Sequence, residues 1–476
     1  MQSLIKKVTS FFSSSSENTL VLPDDCTVIT RKQHGISRKQ IDKHALDVLY
    51  GLKRAGYDAY LVGGAVRDLM LGIEPKDFDV VTNAEPEQVK EVFKKRCRLI
   101  GRRFRLAHVG YGRNIVEVAT FRGDGEGSNK VSRKQLNNTR ATDDAGKLVR
   151  DNVYGSMDED IWRRDFTVNS LYYSIRDYSI IDYAGGAEDI KKGALRLIGD
   201  PEARYREDPV RMIRAIRFSA KLGFDIEQKT KDPIYEMGHL LKDVSHARMF
   251  EEVLKLFHSG VAVEVFEKLR HFGLFCYIFP QTHHVLSLES QGFPHMLVIE
   301  ALKSTDERIR ENKSVNPAFL FAAMLWEPMN LRLDQHLEDD FTHQDALYAA
   351  ANDVIGEQIS ATAIPKRFTA QVREIWSLQG RLARSNKGAK AQKLQEHVRF
   401  RAAYDFLGVR VAAGETELED LFVWWTEYQE KNPLDQVAYA NNVREDRERS
   451  RKHSKSSSGR GRNPYRKRRT PSKNSD

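Results

Sequence analysis

The hydrophobic positions change their period several times along the chain. Between Ser37 and Gly56 they recur as Ile41, Ala45, Leu46, Val48 and Leu49, the spacing of one helix face. Short apolar or alternating runs follow at 58–63, 77–82, 97–101, 106–111 and 114–121, and these predict strands. The stretch 122–150 is polar, glycine-bearing and aperiodic, and it predicts a mobile loop that a substrate could order. After Tyr205 the strand signals fade. Residues 206–430 read as successive amphipathic helices, among them 247–259, 261–273, 315–326, 340–356 and 395–413. The pattern predicts an α+β chain: an α/β head on a mixed sheet, then an elongated all-helical portion. Its expected segments are a flexible 1–34, a head at 35–175, a helical neck at 176–275, a helical body at 276–435 and a disordered basic tail at 436–476.

Composition adds a compartment and a charged end. Cys26, Cys97 and Cys276 are scattered and odd in number, which fits a reducing cytoplasm better than a disulfide or zinc framework. No run approaches 18 apolar residues, so no transmembrane helix is expected. The first residues, MQSLIKKVTSFFSSSS, lack the core and cleavage site of a signal peptide. Their stripe of Leu4, Ile5, Val8, Phe11 and Phe12 allows a weak peripheral membrane contact. The net charge of +9 comes from residues 447–476, where twelve Lys or Arg stand against Glu448 and Asp476. That segment carries +10 and the remainder −1, and it has almost no apolar residues. Such a segment is expected to be disordered and to bind a polyanion.

The chemistry concentrates in residues 61–80, LVGGAVRDLMLGIEPKDFDV. Gly63 and Gly64 let a phosphate approach the backbone N–H groups. On the expected strand Asp77 and Asp79 project to one face, about 7 Å apart by the rise per residue. Two crowded carboxylates call for a hard divalent cation, Mg²⁺. In metal-assisted phosphoryl transfer two such ions hold the attacking and leaving oxygens. A third carboxylate is usual at such a site. Glu117 is one candidate, on the strand face opposite Val116 and Val118; Asp165, in RRDFTVNSLYY, is the other. Arg164 offers a planar fork for phosphate oxygens, and Asn169 is placed to reach a ribose. In REDPVRMIRAIRFSAKLGF, Asp208 suits an N-cap, Pro209 a first helical position and Gly223 a stop. Arg211 and Arg214 share a face near the helix start, where the dipole disfavours cations.

Four ordered segments carry a family resemblance: LVGGAVRDLMLG…DFDV, RRDFTVNSLYY, DYAGGAEDIKKGALRLIGDP and REDPVRMIRAIRFSAKLGF. Together they resemble the class II nucleotidyltransferases, the group of CCA-adding enzymes and bacterial poly(A) polymerases. The resemblance covers residues 35–275 well and runs more loosely to about 430. It implies a nucleotidyltransferase head, two Mg²⁺ ions held by Asp77 and Asp79, and Asp165 as the third catalytic acid. It also implies that Asp208 and Arg211 read the base, without a nucleic-acid template. The expected nucleotide-binding set is Gly63, Gly64, Arg67, Arg164, Asp208, Arg211 and Arg214. The run LIGRRFRLAHV (99–109) is similar to the segment that bacterial poly(A) polymerases share, with His108 expected to be structural. The expected function is therefore addition of AMP from ATP to RNA 3′ ends, with Arg102, Arg103, Arg105, Arg466, Lys467, Arg468 and Arg469 binding RNA. Three alternatives stand beside it: a CCA-adding enzyme, an RNA-binding protein with a decayed head, and a nucleotidyltransferase for small molecules.

Removing residues 447–476 is expected to weaken RNA binding and flatten its salt dependence, with little change in rate at saturating RNA and ATP. Each neutralised phosphate contributes a log–log slope of roughly −0.7 on single strands, so four or five contacts amount to about −3. RNA affinity measured from about 50 to 300 mM salt, the range over which such contacts are lost, checks this. An unchanged slope would move the RNA grip to the folded parts.

Overall fold

The computed structural model describes residues 26–101, 105–123, 140–142, 148–151, 154–288, 296–385 and 388–434. The strands are β1 (Thr27–Ile29), β2 (Ala59–Val62), β3 (Asp79–Thr82), β4 (Cys97–Ile100), β5 (Leu106–Tyr111) and β6 (Asn114–Thr120). After them come β7 (Arg140–Thr142), β8 (Leu148–Asp151), β9 (Leu171–Ser174), β10 (Ile180–Asp182), β11 (Ala194–Leu195) and β12 (Asp225–Ile226). Eight of them form one mixed sheet in the order β1-β10-β9-β2-β3-β6-β5-β4. Its neighbours are antiparallel except β3 and β6, which run parallel with Val80 opposite Val118.

The helices of this part are α1 (Lys43–Arg54), α2 (Gly64–Met70), α3 (Pro86–Phe93), α4 (Met157–Trp162), α5 (Gly186–Lys192), α6 (Pro201–Glu207) and α7 (Val210–Leu222). Asp42 caps α1 by accepting from His44 N and Ala45 N; of the expected stripe Ala45, Val48 and Leu49 are buried and Leu46 is half-buried, and Leu52 is buried with them. On the sheet, Tyr60, Val62, Val81 and Tyr172 form one cluster with Phe121, Ile161 and Ile181. Asp79 shares the face of Val81, because side chains on a strand alternate. The site therefore opens at the end of a packed apolar layer.

The described residues fall into two compact units. The first runs to Arg211 and includes Leu222–Ile234; the second holds Met212–Lys221 and the chain from Tyr235. The second unit is helical, with helices at His246–Phe257, Ala262–His271, Pro317–Met324, His343–Ile359 and Phe400–Ala412 close to the expected spans. Phe250 stacks on Phe321, and Trp376 Nε1 donates to Ala322 O at 3.1 Å. Trp425 Nε1 likewise donates to Leu382 O, so both buried indoles are satisfied. Among the described residues no helix is long and apolar enough to cross a membrane.

Four expectations need correction. Residues 27–29 form β1 although 1–34 reads as flexible, because three β-branched or apolar residues carry no period and their order comes from pairing with β10. The sheet thus reaches Asp182, beyond the 35–175 stretch. Within 122–150, which reads as a loop, β7 and β8 pair as an antiparallel hairpin, whose order comes from strand pairing and not from a period in the polar stretch. Finally β12, after residue 205, pairs in parallel with β11. The N-terminal stripe, Arg102, Arg103 and the tail residues Arg466, Lys467, Arg468 and Arg469 lie outside the described residues.

The turn between β10 and α5 packs against Thr167. Asp182 accepts from the N–H groups of Ala184, Gly185, Gly186 and Ala187. Gly185 takes a positive φ of 78°, and a Cβ on Gly186 would lie 2.1 Å from Thr167 O. Gly186→Ala is therefore expected to lower stability by about 1–3 kcal/mol, as overpacking does. Because Thr167 belongs to the RRDFT turn, activity should fall more than the melting point alone accounts for. Thermal melting and an activity assay on the same preparation check both parts; a neutral variant would mean the turn has slack.

Candidate active site

β3 begins at Asp79, and Asp77 lies just before it, not within it as the sequence suggested. The parallel register of β3 and β6 sets Asp79 beside Glu117 on one sheet face. Across the β5–β6 pair His108 stands opposite Glu117, with Nε2 at 3.1 Å from Oε1. Burial, and then the charges of Glu117 and Asp77, push the Asp79 carboxyl up to about 6, while Arg164 works the other way. The side chain still meets solvent, because it stands in an open cleft with protein on several sides.

The cleft has a volume of about 270 Å³. Asp79, Glu117 and Ala119 line it from the sheet, and Arg122, Asp160, Arg163 and Arg164 from the other side. Arg164 is held by Asp160 Oδ2, at 3.1 and 2.8 Å, and donates to Tyr172 OH at 2.6 Å. Burial disfavours its charge, but Tyr172 and Asp160 outweigh that and raise its pKa. Arg163 Nη1 donates to Gly123 O at 2.8 Å. Asp160 and Arg163 were not singled out in the sequence. Asp160 and Arg164 are four apart, the one local signal that could have paired them.

Asp165 does not line this cleft. Its Oδ1 accepts from Phe166 N at 2.8 Å and from Asn169 Nδ2 at 3.3 Å. Asn169 Oδ1 in turn accepts from Arg67 Nη1 at 2.6 Å, and Arg67 also donates twice to Asp68 Oδ1. Arg67 is 2 % exposed, so the structure gives it a buried bracing position instead of the nucleotide contact expected. Asn169 is likewise buried. Gly63, at φ 75° and ψ −137°, takes a conformation that favours glycine, and Gly64 opens α2.

In the segment that the resemblance gave to base reading, α7 begins at Val210, one residue after the expected Pro209, with Arg211 N donating to Asp208 O and Gly223 at φ 65° after the helix. Arg211 Nη1 donates to Glu207 Oε2 and to Arg204 O, both at 2.7 Å. Arg204 meets the same carboxylate at 2.6 Å, and its Nη2 donates to the carbonyls of Arg163 and Arg164 at 2.9 and 2.5 Å. Burial, and then Arg211, lower the Arg204 pKa to about 10, against the pull of Glu207 and Asp165. Arg204 and Glu207 went unnoticed in the sequence, although three- and four-residue spacings to each other and to Arg211 were there to see. Arg214 is half-buried in the second unit, 5.6 Å from the Phe218 ring centre. Arg105 is exposed and pairs with Glu87 at 2.6 Å.

Among the described residues no three His, Cys, Asp or Glu side chains stand close enough to hold a metal by themselves. The donor chemistry nevertheless fits a hard divalent cation. Asp79 and Glu117 are adjacent oxygen donors and Asp77 is near, so the carboxylate oxygens that a hard divalent cation takes are gathered at one place.

The sequence matches the family described as "Poly A polymerase head domain" over residues 59–196. It also matches "Probable RNA and SrmB- binding site of polymerase A" over 223–286 and "Polymerase A arginine-rich C-terminus" over 339–470. It is 48 % identical to Poly(A) polymerase I of Salmonella typhi over 444 residues, 93 % of this chain and 94 % of that one. The chain belongs to the poly(A) polymerase family. A CCA-adding enzyme of Lactobacillus helveticus is 37 % identical over 277 residues, but that is 56 % of this chain and 65 % of the relative. Among solved structures, the Bacillus stearothermophilus CCA-adding enzyme in complex with CTP aligns with TM-score 0.53 and 25 % identity, covering 82 % of each chain. The chain therefore shares its fold with a CCA-adding enzyme over most of its length, while sequence likeness along nearly the whole chain goes to Poly(A) polymerase I.

Asp79→Asn is expected to remove transfer activity and to stabilise the metal-free protein at alkaline pH. The folded Asp79 holds its proton up to about 6 against an ordinary 3.8. Folded protein thus binds more protons than unfolded protein in that interval, and stability falls as pH rises through it. At pH well above 6 the charged carboxylate opposes folding; below about 4 it is neutral in both states. Melting in EDTA at both ends should show a higher melting point for Asp79→Asn at the alkaline end and none at the acid end. Equal melting at the alkaline end would reject the crowding.

Proposed function

We propose that this chain is a template-independent polynucleotide adenylyltransferase that adds AMP from ATP to RNA 3′ ends. The observation that carries it is the Asp79–Glu117 pair sharing a cleft with Arg163 and Arg164, a carboxylate set beside a phosphate-binding set. The end-to-end likeness to Poly(A) polymerase I favours RNA tailing over tRNA repair. In this reading the RNA 3′-oxygen attacks the α-phosphorus of ATP. A new P–O bond forms, the α–β bridge breaks, pyrophosphate departs, and the hydroxyl proton is released to solvent.

Asp77, Asp79 and Glu117 would hold two Mg²⁺ ions, which when bound lower the pKa of the attacking hydroxyl and offset charge on pyrophosphate. Arg164, kept charged by Asp160, receives triphosphate oxygens, with Arg163 beside it. The N–H groups at Gly63 and Gly64 are further donors. Asp208 and Arg211 read the adenine edge, with Glu207 orienting Arg211. Glu117 takes the place of third acid that the family resemblance gave to Asp165. The strand register supports this, as do the bonds that commit Asp165 to its own turn. Asp165 then positions the turn that carries Arg164.

The decisive assay offers purified protein an unstructured RNA and a tRNA lacking its CCA, with each nucleotide in turn. Repeated AMP addition to the unstructured RNA is expected; efficient CTP use that stops after the tRNA end is complete would favour the CCA alternative. Glu117→Ala should lose roughly 10³-fold or more in kcat, as loss of a key electrostatic group does. Asp165→Ala should lose less and should also melt lower. The reverse ranking would return the third acid to Asp165.

A further inference from the structure

Asp77 borders a second hollow, of about 580 Å³, that the cleft residues do not line. Lys39, Lys76 and Arg113 converge on it from three separate elements: the turn before α1, the segment entering β3 and the two-residue β5–β6 hairpin. Gly112 opens that hairpin turn with φ 68°, which places Arg113 at the tip. All three cations are exposed, and among the described residues none makes an ion pair. Asp42, also at the rim, is committed to capping α1. Ile115 is 58 % exposed beside the half-buried Phe78, which gives the hollow an apolar surface among its charges.

In-line phosphoryl transfer needs the attacking and leaving oxygens on opposite sides of the phosphorus. Arg122, Arg163 and Arg164 make the cleft the place for the triphosphate, so pyrophosphate leaves on that side. The acceptor then comes from another side of the carboxylates, and the second hollow, which Asp77 borders, is open to it. We propose that this hollow binds the last nucleotides of the acceptor RNA, with Lys39, Lys76 and Arg113 on its phosphates and Ile115 and Phe78 against a base. The inference rests on the adenylyltransferase reading and names the subsite that reading leaves open. Its volume suits a nucleotide-sized group, since ligand pockets usually span about 300–1,000 Å³.

The experiment uses the full chain and a short oligoadenylate, so that distant RNA contacts contribute little. Lys39→Gln, Lys76→Gln and Arg113→Gln are made singly and together. The triple variant should raise KM for the oligoadenylate about tenfold, leave KM for ATP within about twofold and keep its melting point. The log–log salt slope of the RNA term should shrink by about 2, from three contacts at roughly 0.7 each. An Ile115→Asp variant should raise the same KM, through repulsion of phosphate. If the parent extends RNA and the triple variant does so with unchanged RNA KM, the acceptor site is elsewhere and the proposal fails. An equal rise in KM for ATP would also overturn it, because the hollow would then serve the nucleotide. A parent that extends no RNA at all would reject the functional reading itself, and this subsite with it.

Discussion

Like charge held at one sheet end is the constraint around which the first unit is arranged. The parallel pairing of β3 with β6 leaves Asp79 next to Glu117, and the chain entering β3 brings Asp77 near both. Such crowding is unfavourable in the isolated protein, and together with burial, the larger cause, it raises the pKa of Asp79. It persists because the register belongs to a sheet whose apolar layer, Tyr60, Val62, Val81 and Tyr172, cannot shift without flipping side chains to the wrong face. In the proposed reading that crowding is useful, since the same carboxylates gain most when a divalent cation and a triphosphate arrive. Stability is given up locally where chemistry needs it.

The cationic side is braced by buried ion pairs instead of surface ones. Asp160 and Tyr172 fix Arg164 within the cleft. Arg204 ties the carbonyls of Arg163 and Arg164 to Glu207, and Glu207 ties to Arg211. Arg67, Asn169 and Asp165 form a second chain from the glycine turn to the same RRD turn. Breaking a buried pair leaves an uncompensated charge at a cost of several kcal/mol, so these networks hold few alternative geometries. Three motifs far apart in sequence are thereby kept in one arrangement before any substrate binds. That arrangement also gives the two hollows distinct characters, one rich in braced arginines and one edged by cations that make no ion pair.

Most of the architecture was legible in the sequence. The expected strands at 58–63, 97–101, 106–111 and 114–121 each lie within one or two residues of β2, β4, β5 and β6, and the helical period marked α1. Those signals are local, because alternation and the 3.6-residue repeat are set by backbone geometry. β1, β12 and the β7–β8 hairpin were not legible, since two to four residues are too few to carry a period and depend on a partner strand. At the candidate site, the glycine pair, the two aspartates, Arg164 and the Asp208–Arg211 segment stood out as candidates by residue type and spacing.

By itself, then, the sequence determined the family and the kind of chemistry, and it proposed residues to carry it, because motifs compress both spacing and residue type into short runs. Only the tertiary structure decided their partners. It set Glu117, not Asp165, beside Asp79, because lateral register between two strands leaves no trace in either strand's own pattern. It also turned Arg67 from a candidate nucleotide contact into a buried brace. It gathered Lys39, Lys76 and Arg113 around one hollow, which no local pattern could announce. Charge and hydrogen-bonding capacity are properties of a residue; whether they face a substrate or a neighbour is a property of the fold.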